Sequence, residues 1–235
     1  MTGTEADHDD STQRNRRSGT RPKPHMTEDD TRQLLVELAA SLFARGFSVG
    51  SAGNISARLA DGYLITPTNS SLGRLDPARL SRLDADFRHV GGDKPSKEVF
   101  MHRAFYRARQ DAGAVVHLHS TMATAVACLP DVDMANPIPP LTPYFVMRVG
   151  RSMPIVEYYR PGDAAMEPAI NAAAGDARAV LLANHGPVVS GKTLTDAVYA
   201  AEELEEAAKL YLTLRGSAPR VLTSVQVDEL LETFG

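Results

Sequence analysis

Residues 117–119 read His-Leu-His. On a β-strand successive side chains alternate faces, so both imidazoles project from one side while Val116 and Leu118 take the other. That geometry sets the rings ~7 Å apart along the strand, close enough to converge on one ion. The same pair would also suit two satisfied histidines at a strand end. A third histidine, His185, closes the apolar run RAVLLANH and precedes a glycine, where a side chain reaches a sheet-edge cleft. Three neutral nitrogens from two strands suit zinc, or Mn2+ or Co2+, and leave a coordination position open, as catalytic sites do. Glu98 lies in the first turn of the helix before the His-x-His strand. A carboxylate there can act as general acid/base, join the metal, or simply complement the helix dipole. His102, one turn further along, can orient it.

Three short stretches suit an anion. SAGNIS offers Gly53 and Asn54 on a turn, and TPTNSS offers Thr68 and Asn69. PSKE places Ser96 and Lys97 at a helix N-terminus, where free N–H groups and the dipole favour negative charge. Turns and caps use the same residue types, but together the three point to a phosphorylated small substrate. Gly186–Thr193, GPVVSGKT, also satisfies the phosphate-loop pattern of nucleotide hydrolases. Pro187 removes a cradling N–H, however, and Val188 and Val189 are β-branched residues poorly suited to such a loop. No later apolar strand ends in an aspartate to hold magnesium. NHGPVVSG therefore reads as metal ligand, turn and returning strand.

The elements that must position these residues alternate. Thr27 with Asp30 resembles a helix cap, and Leu34, Leu35, Leu38, Leu42 and Phe43 recur at helical spacing up to Gly46. Residues 63–67 read as a strand and 75–83 as a short helix or turn. A helix follows Pro95 with Ser96 as its N-cap, then a strand over 114–120 and a helix over TMATAVACL that buries Cys128. Residues 136–150 are proline-broken and end in a strand; 178–185 form a buried strand, and a long amphipathic helix follows TLTD. Alternation without linker or repeat predicts one α/β domain over 27–235. Residues 1–26 hold few large apolar residues and are expected to be disordered, with Met26 a plausible alternative start.

The 235-residue chain carries a net charge of −4, which leaves no footprint for nucleic acid or an anionic membrane. No apolar run approaches the ~20 residues of a membrane span, and no signal peptide is evident. The single cysteine excludes an internal disulfide and fits a reducing cytoplasm.

In order, SAGNIS, ITPTNSSLG, PSKEVFMH, VVHLHS and LLANHGPVVSG resemble the class II aldolase/adducin family from about Thr27 to Arg215. The resemblance implies a three-layer α/β/α fold around a mainly antiparallel sheet. It also implies a homotetramer with active sites between subunits and one divalent ion per subunit, usually zinc, acting on sugar phosphates. Carried over by motif, His117, His119 and His185 would bind the metal. Glu98 would be the acid/base residue that can also touch it, and Gly53, Asn54, Thr68, Asn69 and Ser96 would line the phosphate. Tyr144 would be a proton donor across the subunit interface.

Lys97 departs from the pattern, because fuculose- and ribulose-phosphate members typically carry a second serine there. With PPLTPYFVMRVG and YYRPGD, the chain resembles the branch that decarboxylates 3-oxo-tetronate 4-phosphates to dihydroxyacetone phosphate through a metal-stabilised enediolate. Lys97 would then face the phosphate or the carboxylate. The phosphate is preferred, since a carboxylate held tightly in the ground state resists its own loss. The alternatives are an aldolase acting on a sugar phosphate such as L-fuculose 1-phosphate, and a metal-free adducin-like interaction module. The intact histidine set argues against the last.

Overall fold

Alternating apolar residues in the strands assign each side chain to one of two cores. The computed structural model describes residues 26–235; the expected tail, Met26 excepted, lies outside the described residues. The strands are β1 (Asn54–Leu59), β2 (Gly62–Ile65), β3 (Ser81–Asp84), β4 (His89–Gly91), β5 (Ala114–His117), β6 (Ile155–Val156), β7 (Ala179–Leu182) and β8 (Gly186–Gly191). They form one sheet in the order β4-β3-β2-β1-β5-β8-β7-β6, antiparallel throughout except for β6 against β7. The helices are α1 (Glu28–Ala44), α2 (Val99–Ala108), α3 (Thr121–Ala127), α4 (Pro143–Arg148), α5 (Glu167–Ala174), α6 (Leu194–Leu214) and α7 (Ser224–Phe234).

Ile55, Leu64, Ala114, Val116, Leu181 and Val189 pack on the side of α1, α3 and α6. Ile65, Val115, Val180, Leu182 and Val188 pack with Phe100, Phe105 and Ile170 of α2 and α5 on the other. The sheet is thus the middle of three layers, as expected. Thr27 caps α1 through a reciprocal capping box with Asp30, a local signal that tertiary packing does not override.

Four local expectations are corrected. Residues 143–148 form α4 and not a strand, because the Thr142 hydroxyl accepts from the Phe145 N–H and Pro143 suits the first turn of a helix. The stretch 75–83 divides into a 3-10 turn at Pro77–Arg79 and the start of β3. Helix α2 begins at Val99, so Glu98 occupies its N-cap position; Ser96 lies before the cap and accepts a hydrogen bond from the Glu98 N–H. Cys128 is exposed, since α3 ends at Ala127 and the thiol falls beyond the buried face.

Candidate active site

The centre of the sheet carries the histidines. His117, the last residue of β5, pairs with Asn54 of β1 on one side and Val188 of β8 on the other. His119 lies beyond the strand, but the chain stays close to β8 for one more residue, with the Leu118 N–H donating to the Pro187 carbonyl at 3.2 Å. Alternation therefore persists far enough to bring both rings to one side. His185 is not at the end of a strand, as expected, but in the turn joining β7 to β8. Asn184, at φ 57°, reverses the chain there, a conformation that asparagine tolerates better than most residues.

The three rings converge. Nε2 of His119 lies 3.1 Å from Nε2 of His117 and 3.0 Å from Nε2 of His185. A tetrahedral ion with bonds of about 2.0–2.1 Å holds its ligand nitrogens about 3.3 Å apart, so the set has the right dimensions. The protonation pattern also fits. His117 Nδ1–H donates to the Pro187 carbonyl at 2.9 Å, which leaves its Nε2 lone pair directed at the cluster. Burial, then the neighbouring imidazoles, pushes His117 well below the usual histidine range. His119 is lowered to about 4 for the same reasons, and burial lowers His185 against the opposing pull of Glu98. Three neutral imidazoles facing one point lack a positive centre, which a divalent ion would supply. Among the described residues this is the one group of histidine, cysteine and carboxylate side chains that could hold a metal.

Glu98 faces the same point. Its Oε2 lies 3.6 Å from His117 Nε2 and its Oε1 3.6 Å from His185 Nε2. It is placed by a bridge between Pro67 and Pro95 that ties two distant loops together. The Thr68 N–H donates to the Lys94 carbonyl at 2.9 Å, and the Ser96 N–H to the Thr66 carbonyl at 3.3 Å. The bridge brings Thr68 and Asn69 against Ser96 and Lys97. A cleft of about 260 Å3 results, lined by Gly53, Asn54, Thr68, Asn69, Ser96, Lys97, Glu98 and His119. All six residues expected to bind phosphate are therefore collected beside the histidines. Pro161 and Gly162 also line the cleft; their signal was the YYRPGD motif, quoted above but not assigned to the site.

Gly53 has a specific reason to be glycine. Its φ is +78°, and a Cβ there would stand 2.8 Å from the His117 carbonyl oxygen. Asn54 is engaged by its side chain: Nδ2 donates to Glu98 Oε2 at 2.8 Å while Oδ1 meets His102 Nε2. His102 thus reaches Glu98 through Asn54 and not directly. Tyr144, 62% exposed on α4, lines a different cleft, of about 280 Å3, with Arg109, Arg178, Lys192 and Phe234. That cleft lies by Ala112 and Gly191, at the opposite end of β5 and β8 from His117. Gly186–Thr193 is strand β8 followed by the Thr193 cap of α6, in keeping with the rejection of a phosphate loop.

The model of the Class II Aldolase and Adducin N-terminal domain matches residues 33–212. The chain belongs to this family. Within the class II aldolase/adducin family, the 3-oxo-tetronate 4-phosphate decarboxylase of Haemophilus influenzae is 50% identical over 206 residues, 87% of this chain and 98% of that protein. The crystal structure of YgbL from Klebsiella pneumoniae shares 48% identity and superposes with a TM-score of 0.84, covering 88% of this chain and all of that one. An L-fuculose 1-phosphate aldolase superposes at 0.79 with 29% identity, covering 90% and 99% of the two chains. The fold is common to the aldolase, and the sequence lies much nearer the decarboxylase. No helix among the described residues is long and apolar enough to cross a membrane.

Proposed function

We propose that this family member is a lyase that decarboxylates a 3-oxo-tetronate 4-phosphate, releasing carbon dioxide and dihydroxyacetone phosphate. The observation that carries the reading is the convergence of three neutral imidazoles and Glu98 beside an anion-suited cleft, in a chain half identical to a curated decarboxylase. The substrate loses its C1 carboxylate as the C1–C2 bond breaks, and the electron pair moves through C2–C3 onto the C3 oxygen. C2 then takes up one proton.

His117, His119 and His185 would hold a divalent ion, and the nitrogen-only donor set favours zinc over Mn2+ or Co2+. When bound, the ion supplies a Lewis acid that offsets the charge developing on the keto and hydroxyl oxygens. Thr68, Asn69, Ser96 and Lys97, with the backbone at Gly53, bind the phosphate. They hold the reacting end toward the histidines, so that orientation is settled before the bond breaks. We assign Lys97 to the phosphate: it lines the cleft with Thr68, Asn69 and Ser96, and a carboxylate held tightly in the ground state would resist its own loss.

Glu98 accepts or returns a proton at the reacting end of the cleft. Tyr144 is exposed and turned to another cleft of its own chain, so we assign the proton delivered to C2 to the Tyr144 hydroxyl of a second copy. A homotetramer with active sites between subunits would supply that second copy. Stripping the protein with a chelator and restoring zinc tests the reading. Equal amounts of carbon dioxide and dihydroxyacetone phosphate should vanish and return with the ion, and His117→Ala should lose both products and the metal. Product formation indifferent to the chelator would contradict it.

A further inference from the structure

Asn54 and Ser56 lie two apart on β1, so their side chains share a face; His102 and Tyr106 lie four apart on α2 and also share one. The two rows meet in the core as a continuous line of polar groups. Tyr106 Oη lies 2.9 Å from Ser56 Oγ, and Ser56 Oγ lies 2.7 Å from His102 Nδ1. His102 Nε2 meets Asn54 Oδ1, and Asn54 Nδ2 lies 2.8 Å from Glu98 Oε2. None of the four upstream residues is more than 4% exposed.

Hydrogen-bond chemistry gives this line one direction. An ionised carboxylate can only accept, so Asn54 must turn its NH2 toward Glu98 and its carbonyl oxygen toward His102. That oxygen can only accept, so His102 carries its proton on Nε2. Its Nδ1 is then bare and accepts from the Ser56 hydroxyl, whose oxygen accepts in turn from the Tyr106 hydroxyl. Burial agrees, pushing His102 down to about 3 and keeping it neutral.

We infer that His102 is a positioning residue for Glu98, acting by pinning the Asn54 amide. The inference rests on the reading of Glu98 as the acid/base group. An asparagine amide has nearly the same shape either way round; alone it could flip and set an acceptor against the carboxylate. The Nε2–H of His102 removes that freedom, because a flipped amide would set two donors against each other in a buried site. Oε2 of Glu98 is thereby held, and Oε1, which accepts no hydrogen bond from the described residues, is left for the substrate. The Asn54 side chain is committed to this line, which leaves only its backbone for the phosphate expected of it from the sequence.

Two measurements test this. On the unmodified zinc-loaded protein labelled with 15N-histidine, long-range nitrogen–proton correlation should show His102 as the Nε2–H tautomer. An Nδ1–H tautomer or an imidazolium overturns the direction of the whole line. In steady-state kinetics on a 3-oxo-tetronate 4-phosphate, His102→Leu should lower kcat about 10–100-fold, while His102→Gln, which restores a donor near the Nε2 position, stays within about fivefold. KM and the zinc-to-protein ratio should hold in both variants. Equal losses in the two variants, or an unchanged kcat in His102→Leu, overturn the positioning role. If the unmodified protein forms no carbon dioxide, the functional reading fails by itself and the tautomer still decides the line. The tautomer decides it as well if His102→Leu does not fold.

Discussion

Gly53→Ala isolates the close approach between the cleft and the first histidine. At φ +78° an alanine costs about 1–2 kcal/mol more than glycine, since the left-handed region crowds its Cβ against the carbonyl. The added methyl would also stand 2.8 Å from the His117 carbonyl oxygen and 3.5 Å from Leu118 Cα. Both neighbours are backbone and cannot swing aside, so the strand must move by a few tenths of an ångström. Overpacking of this kind costs about 1–3 kcal/mol. Gly46 supplies the control: its φ is +81°, and a Cβ there meets nothing within 4 Å. Gly46→Ala should lose the backbone part alone, and Gly53→Ala should lose about 2 kcal/mol more, or about 6 °C in a domain of this size. Urea and thermal melts of the two variants give the difference. Zinc titration should add a second one, because the displaced carbonyl belongs to a proposed ligand: Gly53→Ala should bind zinc more weakly and Gly46→Ala should not. Equal melting and equal zinc affinity in the two would refute the reasoning.

Other consequences follow from the same geometry. Glu98→Gln keeps the shape of the side chain but not its proton transfer, so kcat should fall about 10²–10⁴-fold while the three histidines retain the metal; loss of zinc along with activity would make Glu98 a required ligand instead. Leu118, fully buried between two of the histidines, should cost about 2–5 kcal/mol when cut to alanine, read as a shift in the urea midpoint. A shift within error would show that the site collapses without cost. The metal-free protein should lose stability in acid. His102 and His119 have folded values near 3 and 4, below the ordinary 6.5, so the unfolded chain binds protons that the native state refuses. Stability is then full above about pH 6.5 and declines as pH falls toward 4, with His102 alone contributing up to about 1.4 kcal/mol per pH unit. Urea midpoints of chelated protein that do not move between pH 7 and pH 4.5 would contradict these burials.

The three clustered histidines were legible because their placement is largely local. Strand alternation puts His117 and His119 on one side whichever sheet they join. An apolar run ending in Asn-His-Gly brings His185 near the same sheet edge, although it lies in the turn after β7 and not at the strand end where the run suggested it. The capping box at Thr27 and the long helix α6 are local in the same sense. What stayed hidden depends on contacts between distant segments. The bridge from Pro67 to Pro95 has no sequence signal at either end, yet it gathers the scattered anion-type residues into one cleft. The engagement of Asn54 by His102 requires β1 and α2 to lie face to face, which spacing along either element cannot report. Residues 143–148 were misread because FVMRV suits a strand, while the Thr142-Pro143 start decides for a helix. Cys128 was placed in the core on composition, although α3 ends one residue earlier.

The central claim is tested most directly by giving one zinc-loaded preparation a 3-oxo-tetronate 4-phosphate and L-fuculose 1-phosphate in parallel, and comparing kcat/KM for release of dihydroxyacetone phosphate. The account predicts that the tetronate phosphate is strongly preferred and yields carbon dioxide in equal amount. Dihydroxyacetone phosphate released from the sugar phosphate alone, with no carbon dioxide from the acid, would contradict it and make this chain an aldolase.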